Sequence, residues 1–269
     1  MVLASPHSGR YFPPEFLAAS RLPVPALRRL EDAHVGALLA DSVALGLPLM
    51  EATHGRAVID LNRAEAEYDP ALIAGRLPDF PIISERVRRG HGLFPRLAGA
   101  GQAIHDGRIA AEIAEARIAA LHRPWHRTLA DGMEAARRRH GYALLLDMHS
   151  MPSLAGADAA DLVLGDRRGR SAAAAIVDWL EQAFRTEGLR VARNQPYAGG
   201  HTTERHGRPA DGLHAVQLEF DRALYMEPVS LKPHAGFGPL GERIARVLAA
   251  LLAALPGMGL SAGFSLAAE

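Results

Sequence analysis

Three short apolar runs, at positions 58–61, 143–146 and 215–218, limit the fold of this chain more than any other feature. Runs this short suit strands covered on both faces better than helices. Helical periodicity fills the intervals between them. Within 28–45, apolar residues recur at Leu30, Val35, Leu38, Leu39 and Val43. Within 107–121 they recur at Ile109, Ile113, Ala116, Ile118 and Leu121. A further helix is expected from about Pro124, a favoured first-turn residue, to His140, with Gly141 as its stop. Positions 171–184 read as a helix closed by Gly188, with a strand starting at 189–191. Positions 241–255 read as a last helix whose stripe includes Ile244, Val247, Leu248 and Leu251. Strands alternating with helices predict an α/β fold, a mostly parallel or mixed sheet flanked by helices. Positions 68–102 and 194–212, rich in Pro and Gly, read as long loops.

Composition narrows the function. At 269 residues and 48% hydrophobic, the chain can bury one large core, so a single domain over 1–269 is expected. Thirty basic residues balance thirty acidic ones, which leaves no footprint for nucleic acid or an anionic membrane. Cysteine is absent, so any metal must be held by His, Asp or Glu. The start Met1-Val2-Leu3-Ala4-Ser5 does not read as a signal peptide, and no apolar run approaches the length of a membrane span. A cytoplasmic protein acting on a small molecule is expected. Lys232 is the single lysine, so an arginine becomes a functional candidate only by its setting.

Polar residues at the ends of apolar runs are the candidates for chemistry, because a sheet gathers strand ends along one edge. His7 and His149 stand in such places and suit metal ligation, or backbone hydrogen bonding in a loop. Asp147, two residues before His149, can orient its imidazole. A hydrolytic zinc site commonly adds one carboxylate to two histidines, and Glu31-Asp32 is the densest acidic candidate nearby, or a favourable first helical turn. Glu219, in an apolar run, is either a general base or one half of a buried ion pair with Arg222. Asn62 and Arg63 follow an apolar run, and Arg offers a fork for a carboxylate. Pro124 between His122 and His126 disfavours these two as a metal pair. The stretch Gly199-Gly200-His201-Thr202 offers N–H groups and a hydroxyl to an anion, or forms a tight turn.

Six segments together carry a resemblance: Pro6-His7-Ser8-Gly9, Asp60-Leu61-Asn62-Arg63, Arg123-Pro124-Trp125-His126, Asp147-Met148-His149-Ser150, Gly199-Gly200-His201-Thr202 and Gln217-Leu218-Glu219. In order and spacing the chain resembles the N-formylglutamate amidohydrolase family, from His7 to about Met226. That family is similar to aspartoacylases and zinc carboxypeptidases, which implies their α/β fold and one catalytic Zn2+. The resemblance implies His7, Asp32 and His149 as metal ligands, with Glu31 the neighbouring alternative to Asp32. It implies Glu219 as general base, with Arg63 and His126 beside it in catalysis. Asn62, Arg63, His201, Thr202 and Arg205 are implied to bind substrate. Arg10 stands where the related carboxypeptidases have the glutamate of their His-x-x-Glu pair. The implied reaction is hydrolysis of N-formyl-L-glutamate to formate and L-glutamate, a step of histidine degradation. Another N-acyl amino acid or small peptide is the alternative substrate, and a non-catalytic metal- or anion-binding protein of the same fold is the alternative class.

Overall fold

A computed structural model of the protein describes residues 1–99, 101–156 and 159–261. Its contacts divide the chain into two compact units. One comprises Met1–Ser5, His34–Met50 and the chain from Leu129 onward; the other comprises Pro6–Ala33 and Glu51–Thr128.

The first unit is built on a six-stranded sheet. Its strands are β1 (Val2–Ser5), β2 (Leu49–Glu51), β3 (Ala143–Met151), β4 (Leu162–Gly165), β5 (Val191–Arg193) and β6 (Leu213–Asp221), in the order β2-β1-β3-β6-β4-β5. The pairs β1–β3, β3–β6 and β4–β5 are parallel, and β6–β4 is antiparallel. All nine residues of β3 and all nine of β6 are buried, as expected of strands covered on both faces. Their parallel register runs from Leu213 beside Ala143 to Asp221 beside Met151. Alternation along each strand places Leu146, Met148, Val216, Leu218 and Phe220 on one face and Asp147, His149, Gln217 and Glu219 on the other.

Helices cover the apolar face. Helices of the chain include α1 (Ala111–Arg117), α2 (Arg123–His140), α3 (Ala174–Thr186), the short α4 (His201–His206) and α5 (Phe237–Ala254). Helix α3 buries Ile176, Val177, Leu180 and Phe184, and the Phe184 ring meets Phe220 edge-on with centroids 5.7 Å apart. Helix α5 buries Leu240, Ile244, Val247, Leu248 and Leu251. Gly141 at +81° and Gly188 at +85° end α2 and follow α3, as their positions in the sequence imply. No helix of the described residues is long and apolar enough to cross a membrane.

Three expectations from the sequence are corrected. Residues 58–61 form no strand. Asp60 accepts the Asn62 backbone N–H at 2.9 Å, so the chain turns there, while Val58 packs into a cluster with Phe12, Phe16, Leu27 and Ile104. The helix expected over 28–45 is split into a 3-10 turn at Arg28–Leu30 and helices Val35–Leu38 and Ala40–Ala44. Its break comes at extended Glu31 and left-handed His34, whose φ is 66°. The stretch 194–212, read as loop, contains α4. The helix expected from about Pro124 to His140 is α2, and a π-turn at Ile118–His122 joins it to α1.

Gly165, the last residue of β4, lets the returning chain lie against the sheet. A Cβ there would meet the backbone of Gly199, Ala198 and Tyr197 at 2.8, 2.9 and 3.0 Å. Gly165→Ala should therefore lower stability by about 1–3 kcal/mol in urea unfolding. Gly238→Ala in α5, where a Cβ meets nothing within 4 Å, should be neutral or stabilising by up to about 1 kcal/mol.

Candidate functional site

In the second unit, the chain leaving β1 turns at Pro6-His7 and presents His7 between two aspartates. His7 Nε2 lies 2.7 Å from Asp60 Oδ1, and His7 Nδ1 lies 3.2 Å from Asp32 Oδ2. Asp32 is brought there by its own backbone, whose N–H donates to the His7 carbonyl at 2.9 Å. The neighbouring Glu31 turns the other way and pairs with Arg28 Nε at 3.1 Å. Asp60 is fully buried. Burial alone would raise its carboxyl, yet Arg56, Arg63 and His7 together hold it well below the usual carboxylate range. As an anion it accepts the His7 Nε2–H, which leaves the lone pair on Nδ1, toward Asp32.

These donors fit a metal. Two ligand atoms of one tetrahedral zinc, each about 2.0–2.1 Å from it, are about 3.3 Å apart. The 3.2 Å between His7 Nδ1 and Asp32 Oδ2 agrees, and an imidazole nitrogen with a carboxylate oxygen is a hydrolytic zinc donor set.

Asn62 and Arg63 follow Asp60 on the same turn and are buried. Arg63 Nε donates to the His91 carbonyl and Nη1 to the Asn62 carbonyl, both at 2.8 Å, and Nη2 lies 3.5 Å from Asp60 Oδ2. Burial lowers the Arg63 pKa to about 10 against the pull of Asp60, so it stays charged at neutral pH. Two histidines hold the turn from the helical side. His122 Nε2 lies 2.8 Å from the Arg63 carbonyl and His126 Nε2 lies 3.0 Å from the Leu61 carbonyl, their ring centroids 4.4 Å apart. The π-turn before α2 gives His122 and His126 this shared aim.

In the first unit the polar face of β3 and β6 is organised in register. His149 stands beside Glu219, and Asp147 beside Gln217. Asp147 Oδ2 lies 3.0 Å from His149 Nε2, so that ring's Nδ1 carries its lone pair. Glu219 Oε1 accepts from Gln217 Nε2 at 2.7 Å. Arg222 donates from Nε to Ser150 Oγ at 3.2 Å. On α4, Thr202 is fully buried, His201 is half-buried and Arg205 is exposed. Burial and Arg205 push the neighbouring His206 down to about 4, so it is neutral at pH 7.

His7, Asp32, Asn62, Arg63 and His126 thus lie in one unit, and His149, His201, Thr202, Arg205 and Glu219 in the other. Two residues had no individual part in the sequence reading: Asp60, on His7, and Gln217, on Glu219. Both stood inside quoted motifs, and each is two residues from a candidate on the same segment.

A family model described as N-formylglutamate amidohydrolase matches residues 1–226. N-formylglutamate deformylase of Pseudomonas aeruginosa is 30% identical over 268 residues, covering 96% of this chain and 93% of that protein. The Pseudomonas putida enzyme of the same name is 31% identical over 235 residues, covering 85% and 82%. A crystal structure of N-formylglutamate amidohydrolase from Ralstonia eutropha superposes with a TM-score of 0.89 at 33% identity, over 95% of this chain and 94% of that one. A gene product of Agrobacterium tumefaciens, 17% identical with a TM-score of 0.63 over 94% and 90% of the two chains, shares the fold. The chain belongs to the N-formylglutamate amidohydrolase family.

Proposed function

We propose that this chain, working as one amidohydrolase domain, hydrolyses N-formyl-L-glutamate to formate and L-glutamate with one bound zinc, as a step of histidine degradation. The observation that carries the reading is the register of two buried strands, which sets the Glu219 carboxylate beside an imidazole already oriented by Asp147. The substrate follows the names of the relatives that cover most of the chain.

His7, Asp32 and His149 are assigned to the metal. Each imidazole has a carboxylate at Nε2, which directs the Nδ1 lone pair to the ion. A zinc held there would supply Lewis-acid polarisation of the scissile carbonyl and acidify the attacking water. Glu219, held by Gln217 at Oε1, takes the proton of that water and returns it to the amine nitrogen as the C–N bond breaks. Arg63, fixed at Nε and Nη1, offers Nη2 to a substrate carboxylate, with Asn62 beside it. His126 acts from behind, holding the Leu61 carbonyl and so the turn that bears both. His201, Thr202 and Arg205 are assigned to the second carboxylate.

Zinc analysis joined to formate release tests the assignment. The purified enzyme should carry one zinc per chain, and His7→Ala or His149→Ala should lose it along with turnover. Glu219→Gln should keep the metal and lose turnover by roughly 100- to 10,000-fold, because an amide cannot accept the proton. A nearly full rate in Glu219→Gln would move the base elsewhere.

Substrate choice is tested separately. Arg63→Lys should lower kcat/KM at least about tenfold, since a point charge neither forms the fork nor keeps both carbonyl bonds. N-formyl-L-glutamate should outpace N-formyl-leucine by at least about tenfold, because the neutral side chain leaves a cationic anchor unpaired. Equal rates would leave an amidohydrolase without the glutamate preference.

A further inference from the structure

Gln217 belongs to no role assigned so far, and its side chain is tied at both ends. Its Oε1 accepts the Gly200 backbone N–H at 2.8 Å, and its Nε2 donates to Glu219 Oε1 at 2.7 Å. A backbone N–H can only donate, so it fixes which end of the amide faces which partner; the NH2 is thereby turned to Glu219. The whole arrangement is buried, with Gln217 5% and Glu219 8% exposed.

The fold prepares this bridge. Gln217 pairs across the sheet with Gly165, so both residues face the same side. The absent Cβ of Gly165 lets the Tyr197–Gly199 backbone cross directly over that position. Arg167 N–H holds the Ala198 carbonyl at 2.7 Å, and Thr203 Oγ donates to the Gly200 carbonyl at 2.9 Å. The Gly200 N–H is therefore delivered to Gln217 by rigid surroundings.

We propose that Gln217 is a positioning residue that locks the Glu219 carboxylate to the Gly199–Gly200 turn, so that the base and the start of the segment bearing His201 and Thr202 are held as one body. This rests on the reading of Glu219 as the base. The amide holds Oε1 in place and so sets the plane in which the carboxylate meets water. With the tether cut, the carboxylate rotates among conformers and the turn loses its anchor on the sheet.

The test is a double-mutant cycle on N-formyl-L-glutamate, with kcat and KM followed by formate release. Gln217→Met keeps the length and removes both hydrogen bonds. It should lower kcat by about 10- to 100-fold and raise KM, with zinc content and circular dichroism unchanged. Added to Glu219→Gln, it should cost less than about a further twofold in kcat, because its effect runs through the base already lost. Losses that multiply would show that Gln217 acts independently of Glu219 and overturn the proposal, as would a kcat for Gln217→Met within about twofold of the parent. If Gln217→Met fails to fold, Gln217→Asn, one methylene too short to reach both partners, carries the same cycle with the same outcomes. Full turnover in Glu219→Gln alone would sink the base assignment, a result distinct from either failure of the tether.

Discussion

The parallel pairing of β3 with β6 is the constraint on which the rest of the first unit depends. Both strands are buried along their whole length, and one face of each is given over to apolar packing against helices. The other face carries Asp147, His149, Gln217 and Glu219, all buried. Buried polar groups survive only when they are satisfied, and here neighbours two apart on one strand do so, Asp147 with His149 and Gln217 with Glu219. A slip of one residue would exchange the two faces and put Met148 and Leu218 where the acid and imidazole now stand.

The second unit meets the same requirement with a turn instead of a sheet. Asp60 is the hub: it caps its own turn through the Asn62 N–H, pairs with Arg56 and accepts from His7. A buried carboxylate with so many partners is stable only as an anion, and an anion at that position fixes the tautomer of His7. Replacing it with a neutral isostere would leave Arg56 and Arg63 short of their counter-charge and His7 free to present the wrong nitrogen. The aspartate thus ties the integrity of the turn to the orientation of the imidazole, and one substitution would disturb both.

Much of this was legible in the sequence, and the gaps have physical causes. The runs 143–146 and 215–218 declared buried strands because apolar residues there are contiguous; their true lengths did not show, because Asp147, His149, Glu219 and Asp221 break the pattern. The run 58–61 has the same apolar look, but Asp60 offers the backbone a side-chain acceptor and the turn prevails over the strand. Periodicity across 28–45 is genuine, yet it is shared among short helices separated by the extended Glu31 and the left-handed His34. The motifs named His7, His149 and Glu219 as candidates. The partners that hold them are set by side-chain direction and by contacts across distant segments, such as His7 with Asp60, and no spacing rule encodes those.

The π-turn at Ile118–His122 bears on how this helix tolerates change in length. It holds one residue more than an α-helical turn, and each residue advances a helix by about 100°. Deleting one residue within it would restore regular winding and swing His126 about a quarter-turn away from the Leu61 carbonyl, while Pro124 would lose the widened turn that accommodates its ring. The extra residue thus works as a phase setting. Substitutions on the exposed face of this helix preserve it, whereas a single insertion or deletion between Ala111 and His126 uncouples the helix from the turn that bears Arg63.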